Sequence, residues 1–540
     1  MLNRKLCASK SPTFHILTVS HHLHIMKLFN TKLQHKTLEI VGLFLIIVIF
    51  FFGFSISYNE MDVIPYARAT FNDNWIPNDW YLNLNITYRY LFSYIIGFFA
   101  ETFGTIPTII AGRLISYVLI SLSLLLLIRL VYGKSYNAIT YLALVLLFTF
   151  FPNGNGAEEW MVGGLETKVF SYAFSILALA MFLEKRMKLG FLFAGLMLSF
   201  HLLIGIYSIF CLIPIFFFYQ RDAKKFYLDA VKAFPIFIIT GSIGIYGIVH
   251  QLFFSESSAS NIGWDIYVNL RVPHHTLPNF FPFELWIKMM VFTAINIGFT
   301  IKLRNQKIKL ISYYALFSVI ISLIGIIVFW ISDANHNLKY YFFRFSDTTL
   351  PLITLLNVSY FLNEKIKKSP RKVQNILSYT ACVIMLLFVA AKAKGFTANF
   401  TSNNIKFKTH TSDDVAMENW VKNNTDNTKT FIVPPNMSFF YINFERSAFV
   451  TWKHSPQNEA DIVEWYCRLK LLNQNEDFKY QSEIYDNYYK LTKKDILIIA
   501  KKYPNANYFL TSSATNLSFP VLFKSDKFTL YKIRTLANKT

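Results

Sequence analysis

Cysteine is scarce: the chain of 540 residues holds four. Cys211 and Cys382 lie in apolar runs and Cys7 near the N-terminus, so only Cys467 falls in a polar region expected outside a membrane. One such cysteine excludes an external disulfide framework within one chain. Acids are also few, 32 against 53 basic residues, for a formal charge of +21. No P-loop, GxGxxG, HExxH or usefully placed GxSxG occurs, so soluble-type nucleotide chemistry and the common hydrolase motifs have no support. There is no tandem repeat or low-complexity tract. Residues 1–25 lack a clean small-residue cleavage site and so do not read as a cleavable signal peptide. Their His15, His21, His22 and His24 read as part of a dispensable extension rather than a metal site, with Met26 an alternative start.

Apolar residues are abundant: 54% of the chain is hydrophobic and 18% aromatic. They cluster in runs near membrane-spanning length, which a soluble domain of this size would not carry. Spans are expected near 38–57, 109–130, 136–151, 168–183, 189–201, 202–219, 232–253, 284–301, 309–331, 348–362 and 374–391. The weakest is 189–219, read as two short helices meeting near His201.

The basic residues set the orientation. Alternate polar gaps are rich in them: Arg4, Lys5, Lys10, Lys27, Lys32 and Lys36; Arg129 and Lys134; Lys185, Arg186 and Lys188; Arg221, Lys224, Lys225 and Lys232; Lys302, Arg304, Lys307 and Lys309; Lys365, Lys367, Lys368, Arg371 and Lys372. The intervening gaps carry Arg68, Lys168, Arg271, and Lys339 with Arg344. This is the positive-inside pattern of a polytopic membrane protein. Its positive charge belongs beside anionic headgroups, so no nucleic-acid partner is expected. The expected architecture is mainly α: a transmembrane helical bundle of about eleven spans in the plasma (inner) membrane, with a small external C-terminal α/β domain. Residues 1–36 would be a cytoplasmic segment, 37–394 the membrane module with an acidic first external loop at 58–104, and 395–540 the external domain. Within that domain Thr430–Pro434, Ser447–Trp452, Asp495–Ala500 and Tyr508–Thr511 read as strands, and Ser412–Asn423 and Asn458–Leu471 as helices. The apolar stretch Tyr88–Phe103 reads as a helix lying in the outer interface.

The outward gaps hold the chemistry. Asn59-Glu60-Met61-Asp62 places two acids at a membrane exit, where desolvation is costly; they serve as a base or metal carboxylate, or merely start a solvated loop. Asp79, in Pro77-Asn78-Asp79-Trp80, is a second candidate or ordinary turn chemistry. Glu158 and Glu159 precede Glu166 and Lys168, which either pair with each other or hold and orient a phosphate. His201 is a packed imidazole or a ligand. Arg271 with His274 and His275 offers a phosphate fork and proton carriers; adjacent histidines lack the i, i+4 spacing of a helical zinc pair, so zinc is not expected there. Arg344, within Tyr340-Tyr341-Phe342-Phe343-Arg344-Phe345, either binds a lipid phosphate or anchors its helix.

With its cytoplasmic N-terminus, first span, acidic loop and C-terminal external domain, the chain resembles the GT-C superfamily of membrane glycosyltransferases. Glu60-x-Asp62 followed by Tyr66-Ala67 is similar to that superfamily's Asp-Glu-x-x-Tyr-Ala pattern, with Met61 between the acids and the spacing to Tyr66 changed by one. Ile106-Pro107 leads to Arg113-Leu114-Ile115-Ser116, similar to its helix opening with arginine. The resemblance implies a polyprenyl-phosphate-linked sugar donor and a glycan, lipid or protein acceptor outside the membrane. It implies Asp62 or Glu60 as the base or as ligand to a divalent cation. Asp79, Glu166, Lys168, His201, Arg271, His274, His275 and Arg344 are the expected substrate-binding set. The rival readings are a transporter, which would have repeats and mid-membrane charges, and a non-catalytic scaffold or sensor displaying the C-terminal domain.

Overall fold

The computed structural model describes residues 37–133, 137–218, 223–253, 261–401 and 412–533. The expected cytoplasmic segment 1–36, with its histidines, and Lys134 and Arg221 lie outside them. Helices occupy every stretch expected to span, and most of the chain is helical. They are α1 (Thr37–Phe51), then α2 (Glu60–Phe71) and α3 (Tyr90–Phe103) from the first loop, α4 (Thr105–Tyr132), α5 (Ala138–Phe150), α6 (Thr167–Leu183), α7 (Met187–Phe200), α8 (Leu202–Phe218) and α9 (Ala223–Phe253). After the short α10 (Ile262–Ile266) and α11 (Pro273–Thr276) come α12 (Phe283–Lys302), α13 (Gln306–Trp330), α14 (Arg344–Ile366) and α15 (Arg371–Thr401).

Among the described residues five helices are long and apolar enough to cross a membrane, over Thr105–Tyr132, Lys224–Gln251, Phe283–Lys302, Gln306–Trp330 and Arg371–Asn399. The most apolar part of α15 is only 6% buried by protein. Leu386 and Leu387 on it are more than half exposed. A helix apolar all round and uncovered by protein needs another apolar solvent, which a bilayer supplies. The chain breaks between α7 and α8 at His201, whose extended backbone (φ −151°, ψ 110°) interrupts the helical hydrogen bonds.

α3 buries Phe92, Ile96 and Ala100 and turns Tyr94, Phe98, Phe99 and Phe103 outward. This two-sidedness is what an interfacial helix requires. It packs closely on α2: a Cβ on Gly97 would sit 2.1 Å from the Ala67 carbonyl oxygen. Arg68 Nε bonds Glu101 Oε2 across the pair at 2.7 Å.

The C-terminal unit contains α16 (Ser412–Asn424), α17 (Phe440–Phe444), α18 (Glu459–Leu472), α19 (Gln481–Tyr488), α20 (Lys493–Lys502) and a five-stranded sheet. Its strands are β1 (Thr430–Ile432), β2 (Ser447–Ala448), β3 (Ala506–Ser512), β4 (Val521–Lys524) and β5 (Phe528–Lys532), in the order β2-β1-β3-β5-β4. β1 runs parallel to β2 and β3, whereas β5 is antiparallel to β3 and β4. The mixed sheet thus forms by short local steps at one edge and helical crossovers at the other. Asp495–Ala500, expected as a strand, is instead part of α20. A short apolar run has no decisive period; here the capping box between Thr492 and Asp495 selects the helix. The expected strand Ser447–Trp452 shrinks to its first two residues.

The sheet is not separate from the first loop. Tyr66, Trp75, Ile76, Tyr81 and Leu82 share one apolar core with Met417, Phe431, Phe440 and Leu530. That shared core fixes loop 58–86 in place under the C-terminal unit.

Candidate functional site

A cavity of about 530 Å³ opens where α8, the 332–344 segment, α9 and the C-terminal unit converge. Its walls include Tyr88, Trp264, Tyr267, Tyr340 and Tyr341, with Gln457 and Asn458 from the C-terminal unit. Its acidic and basic lining side chains are Glu159, His201, Lys339 and Arg344. Gln457 Nε2 bonds the Tyr267 hydroxyl at 2.6 Å, which ties the C-terminal unit to the wall. Aromatic sides with a few charged groups are the usual build of a small-molecule site.

Arg344 begins α14. Its guanidinium lies 4.2 Å above the Tyr341 ring, and its Nε is 3.2 Å from Glu159 Oε2. Glu159 is buried, and its other oxygen is 3.2 Å from Lys168 Nζ. Neither Glu159 oxygen has an aligned hydrogen bond. Glu159 therefore works as a shared counter-ion that keeps Arg344 aimed along the wall. Its turn is held by Asp347 of α14, which accepts from the N–H groups of Asn155 (2.7 Å), Ala157 (3.1 Å) and Glu159 (3.1 Å). Gly154, at φ +74°, is required there, because a Cβ would fall 2.1 Å from an Asp347 oxygen.

Of the expected substrate-binding residues, Arg344 and His201 line this cavity. Lys168 is enclosed by Glu159, by Glu166 at 3.7 Å, and by the Trp160 ring 3.3 Å from its Nζ. The pairing of Glu166 with Lys168, rather than an open phosphate seat, is what the geometry contains. Asp79 is fully buried and accepts from Leu82 N–H (2.7 Å), Tyr441 O–H (3.1 Å), Ser447 O–H (3.0 Å) and Ala448 N–H (3.1 Å). It is a fastener between the first loop and the sheet, with no lone pair turned to the cavity.

The two acids of the first loop have different surroundings. Glu60 is fully buried and accepts from Ser57 N–H (2.7 Å), Leu165 N–H (2.6 Å), Arg113 Nε–H (2.7 Å) and Arg113 Nη2–H. Arg113 also donates to the carbonyls of Gly53 and Ser55. This saturated pair clamps the end of the first helix onto α4 and fills the acceptor positions of Glu60. Asp62 keeps 20% exposure and accepts from Tyr81 O–H and Arg89 Nη1 (3.2 Å). Burial alone would raise its carboxyl; Arg89, His454 and Lys453, with the Tyr81 hydrogen bond, outweigh burial and hold it below the ordinary carboxylate range. With Arg89 and Lys453 already beside Asp62 and four donors on Glu60, neither acid suits a divalent cation.

Asp62 does not line the cavity, but a polar chain leads there. Lys453 Nζ donates to Asn59 Oδ1, and Asn59 Nδ2 donates to Glu166 Oε2 at 3.1 Å. Glu166, Lys168 and Glu159 then lead to Arg344. Arg271 joins from the side: Nη2 reaches the Lys453 carbonyl at 3.4 Å, and its guanidinium lies 5.6 Å from the Trp452 ring. Its buried Nε has no hydrogen-bond partner. His454 bonds Thr451 through Nδ1 (2.5 Å) and the Met61 carbonyl through Nε2 (2.9 Å). Burial pushes its imidazole down to about 4 and the Lys453 ammonium down to about 8.

Sequence reasoning passed over Lys453, His454, Arg89, Tyr81, Glu159 and Asp347 as site residues. Glu159 carried a signal, two acids before an apolar helix; Lys453 and His454 carried none, since only the packing of the sheet against loop 58–86 brings them to Asp62. His274 and His275 do not line the cavity; with Glu158 they place one ligand atom each within 4.8 Å of one another.

Residues 412–472, which carry both Lys453 and His454, match a family model described as a domain of unknown function (DUF6798). No curated protein matches the chain.

Proposed function

We propose that this protein is an integral membrane glycosyltransferase that moves a sugar from a polyprenyl-phosphate donor to an acceptor on the outer side of the membrane. The observation that supports it best is the cavity itself. It combines an arginine held by a loosely bonded counter-ion with aromatic walls, at the junction of apolar helices and a polar C-terminal unit. Arg344 and Lys339 are the cations for the donor phosphate, with His201 beside them. Arginine's planar fork can take two phosphate oxygens at once.

In the proposed reaction the acceptor hydroxyl loses its proton to a carboxylate and attacks the anomeric carbon. The bond from that carbon to the phosphate oxygen breaks, and the lipid phosphate leaves with the electron pair, stabilised by the cations. Asp62 is a partly exposed, ionised carboxylate of the first loop and takes the proton. Tyr88, which lines the cavity, feels the charge of Asp62. The acceptor would enter between the first loop and the C-terminal unit. The N-terminus would be cytoplasmic, the bundle would cross about eleven times, and the C-terminal unit would lie outside.

The test is incubation of purified protein with labelled polyprenyl-phosphate sugars and a panel of glycan, lipid and protein acceptors. Transfer that is lost in Asp62→Asn and weakened in Arg344→Lys supports the reading. Transfer by neither wild type nor any donor pairing, with radiolabelled donor also failing to bind, overturns it.

A further inference from the structure

Glu158 is exposed at the tip of the turn that Asp347 grips, and its backbone is left-handed (φ 51°). The flanking N–H groups of Ala157 and Glu159 both bond Asp347 Oδ2 at 3.1 Å, which holds the residue in that conformation. Opposite it, α11 presents His274 and His275 with ring centroids 3.9 Å apart. His275 Nδ1 lies 2.8 Å from the Ala157 carbonyl oxygen. A carbonyl only accepts, so Nδ1 carries the proton and the Nε2 lone pair is free. A backbone carbonyl that fixes the tautomer in this way is the usual support of a metal-binding histidine.

We propose that Glu158, His274 and His275 form a divalent-cation site of the zinc class beside the wall of the main cavity. Two imidazoles and one carboxylate match a three-ligand zinc set with an open fourth position. Bonds of about 2.0–2.2 Å to a tetrahedral ion put ligand atoms about 3.3 Å apart. The three groups, already within 4.8 Å of one another, reach that spacing by side-chain rotation, for which exposed Glu158 is free. Arg344 acts electrostatically on both rings and Arg271 on His274. These positive charges oppose a bare cation, so the fourth position takes an anion, hydroxide or a phosphate oxygen. The inference goes beyond sugar transfer and does not depend on it, because metal binding is read without any activity.

The experiment uses the full chain with a non-histidine affinity tag. It is stripped with chelator, loaded with Zn²⁺, desalted and measured by elemental analysis. His15, His21, His22 and His24 remain in every variant, so only differences count. Wild type is expected to retain about one zinc more per chain than the Glu158→Gln/His274→Asn double variant. Each single variant is expected to bind zinc at least about tenfold more weakly. Equal zinc content and equal affinity in all four proteins overturns the site. If the variants fail to fold, chemical modification of wild-type histidines decides: zinc protection of His274 supports the site, and unchanged modification of His274 overturns it.

Discussion

Arg344 Nε stands 3.2 Å from Glu159 Oε2 in the cavity wall, yet neither atom has an aligned hydrogen bond. The pair is close enough for attraction and loose enough for an incoming anion to replace the carboxylate as partner. An exposed ion pair would be worth little; here Glu159 is 1% exposed, so its two cations matter to it.

Arg344→Lys keeps the charge and loses the fork. The donor KM is expected to rise about tenfold with the protein still membrane-inserted. Donor-concentration curves for Arg344→Lys and Arg344→Ala check this. Unchanged saturation in both leaves Arg344 as a helix anchor.

Asp62→Asn should reduce sugar transfer by roughly a hundredfold or more if the carboxylate is the base. It also leaves Arg89, 3% exposed, without its charged partner, so a loss of a few kcal/mol in stability is expected. Rates must be normalised to folded protein. Glu60→Gln breaks the fully buried pair with Arg113 and is expected to cost about 3–5 kcal/mol. Its signature is poor folding rather than slow chemistry in the folded fraction. Full activity in the Asp62→Asn/Glu60→Gln protein would refute proton transfer by this loop.

His454 gives the stability a pH dependence. Its folded value of about 4 lies below the ordinary 6.5, so between these values the unfolded chain binds the extra proton. Stability is therefore expected to fall as pH drops from 6.5 to 4, by on the order of 3 kcal/mol from this group. Thermal unfolding of wild type and His454→Gln across that range should differ in slope. Parallel curves would remove His454 as the cause.

Gly97→Leu should separate α2 from α3, because even a Cβ would meet the Ala67 carbonyl oxygen at 2.1 Å. A destabilisation of about 1–3 kcal/mol or more is expected. Unfolding midpoints in detergent measure it, and an unchanged midpoint would mean that the two helices do not need this contact.

Lys372 and Lys394 lie toward opposite ends of helix α15. Reporter fusions after these two residues are expected to report opposite sides of the membrane. A common side would overturn the proposed orientation and the external C-terminal unit with it.

The sequence by itself located the helices, because apolar runs, polar gaps and basic clusters are local features of composition. The break at His201 was legible for the same reason: two basic gaps, Arg186 and Arg221, flank a run too long for one perpendicular helix. It named Glu60 and Asp62 but could not separate them, since both are acids at one membrane exit. Tertiary structure made the difference, placing Arg113 of α4 around Glu60 and Arg89 with Tyr81 around Asp62. Packing also made Asp79 a fastener, brought Lys453 and His454 to Asp62, and drew Glu158 to the adjacent histidines. Each depends on segments far apart in the chain. Hydrophobic period and charge order carry no record of which distant segments meet.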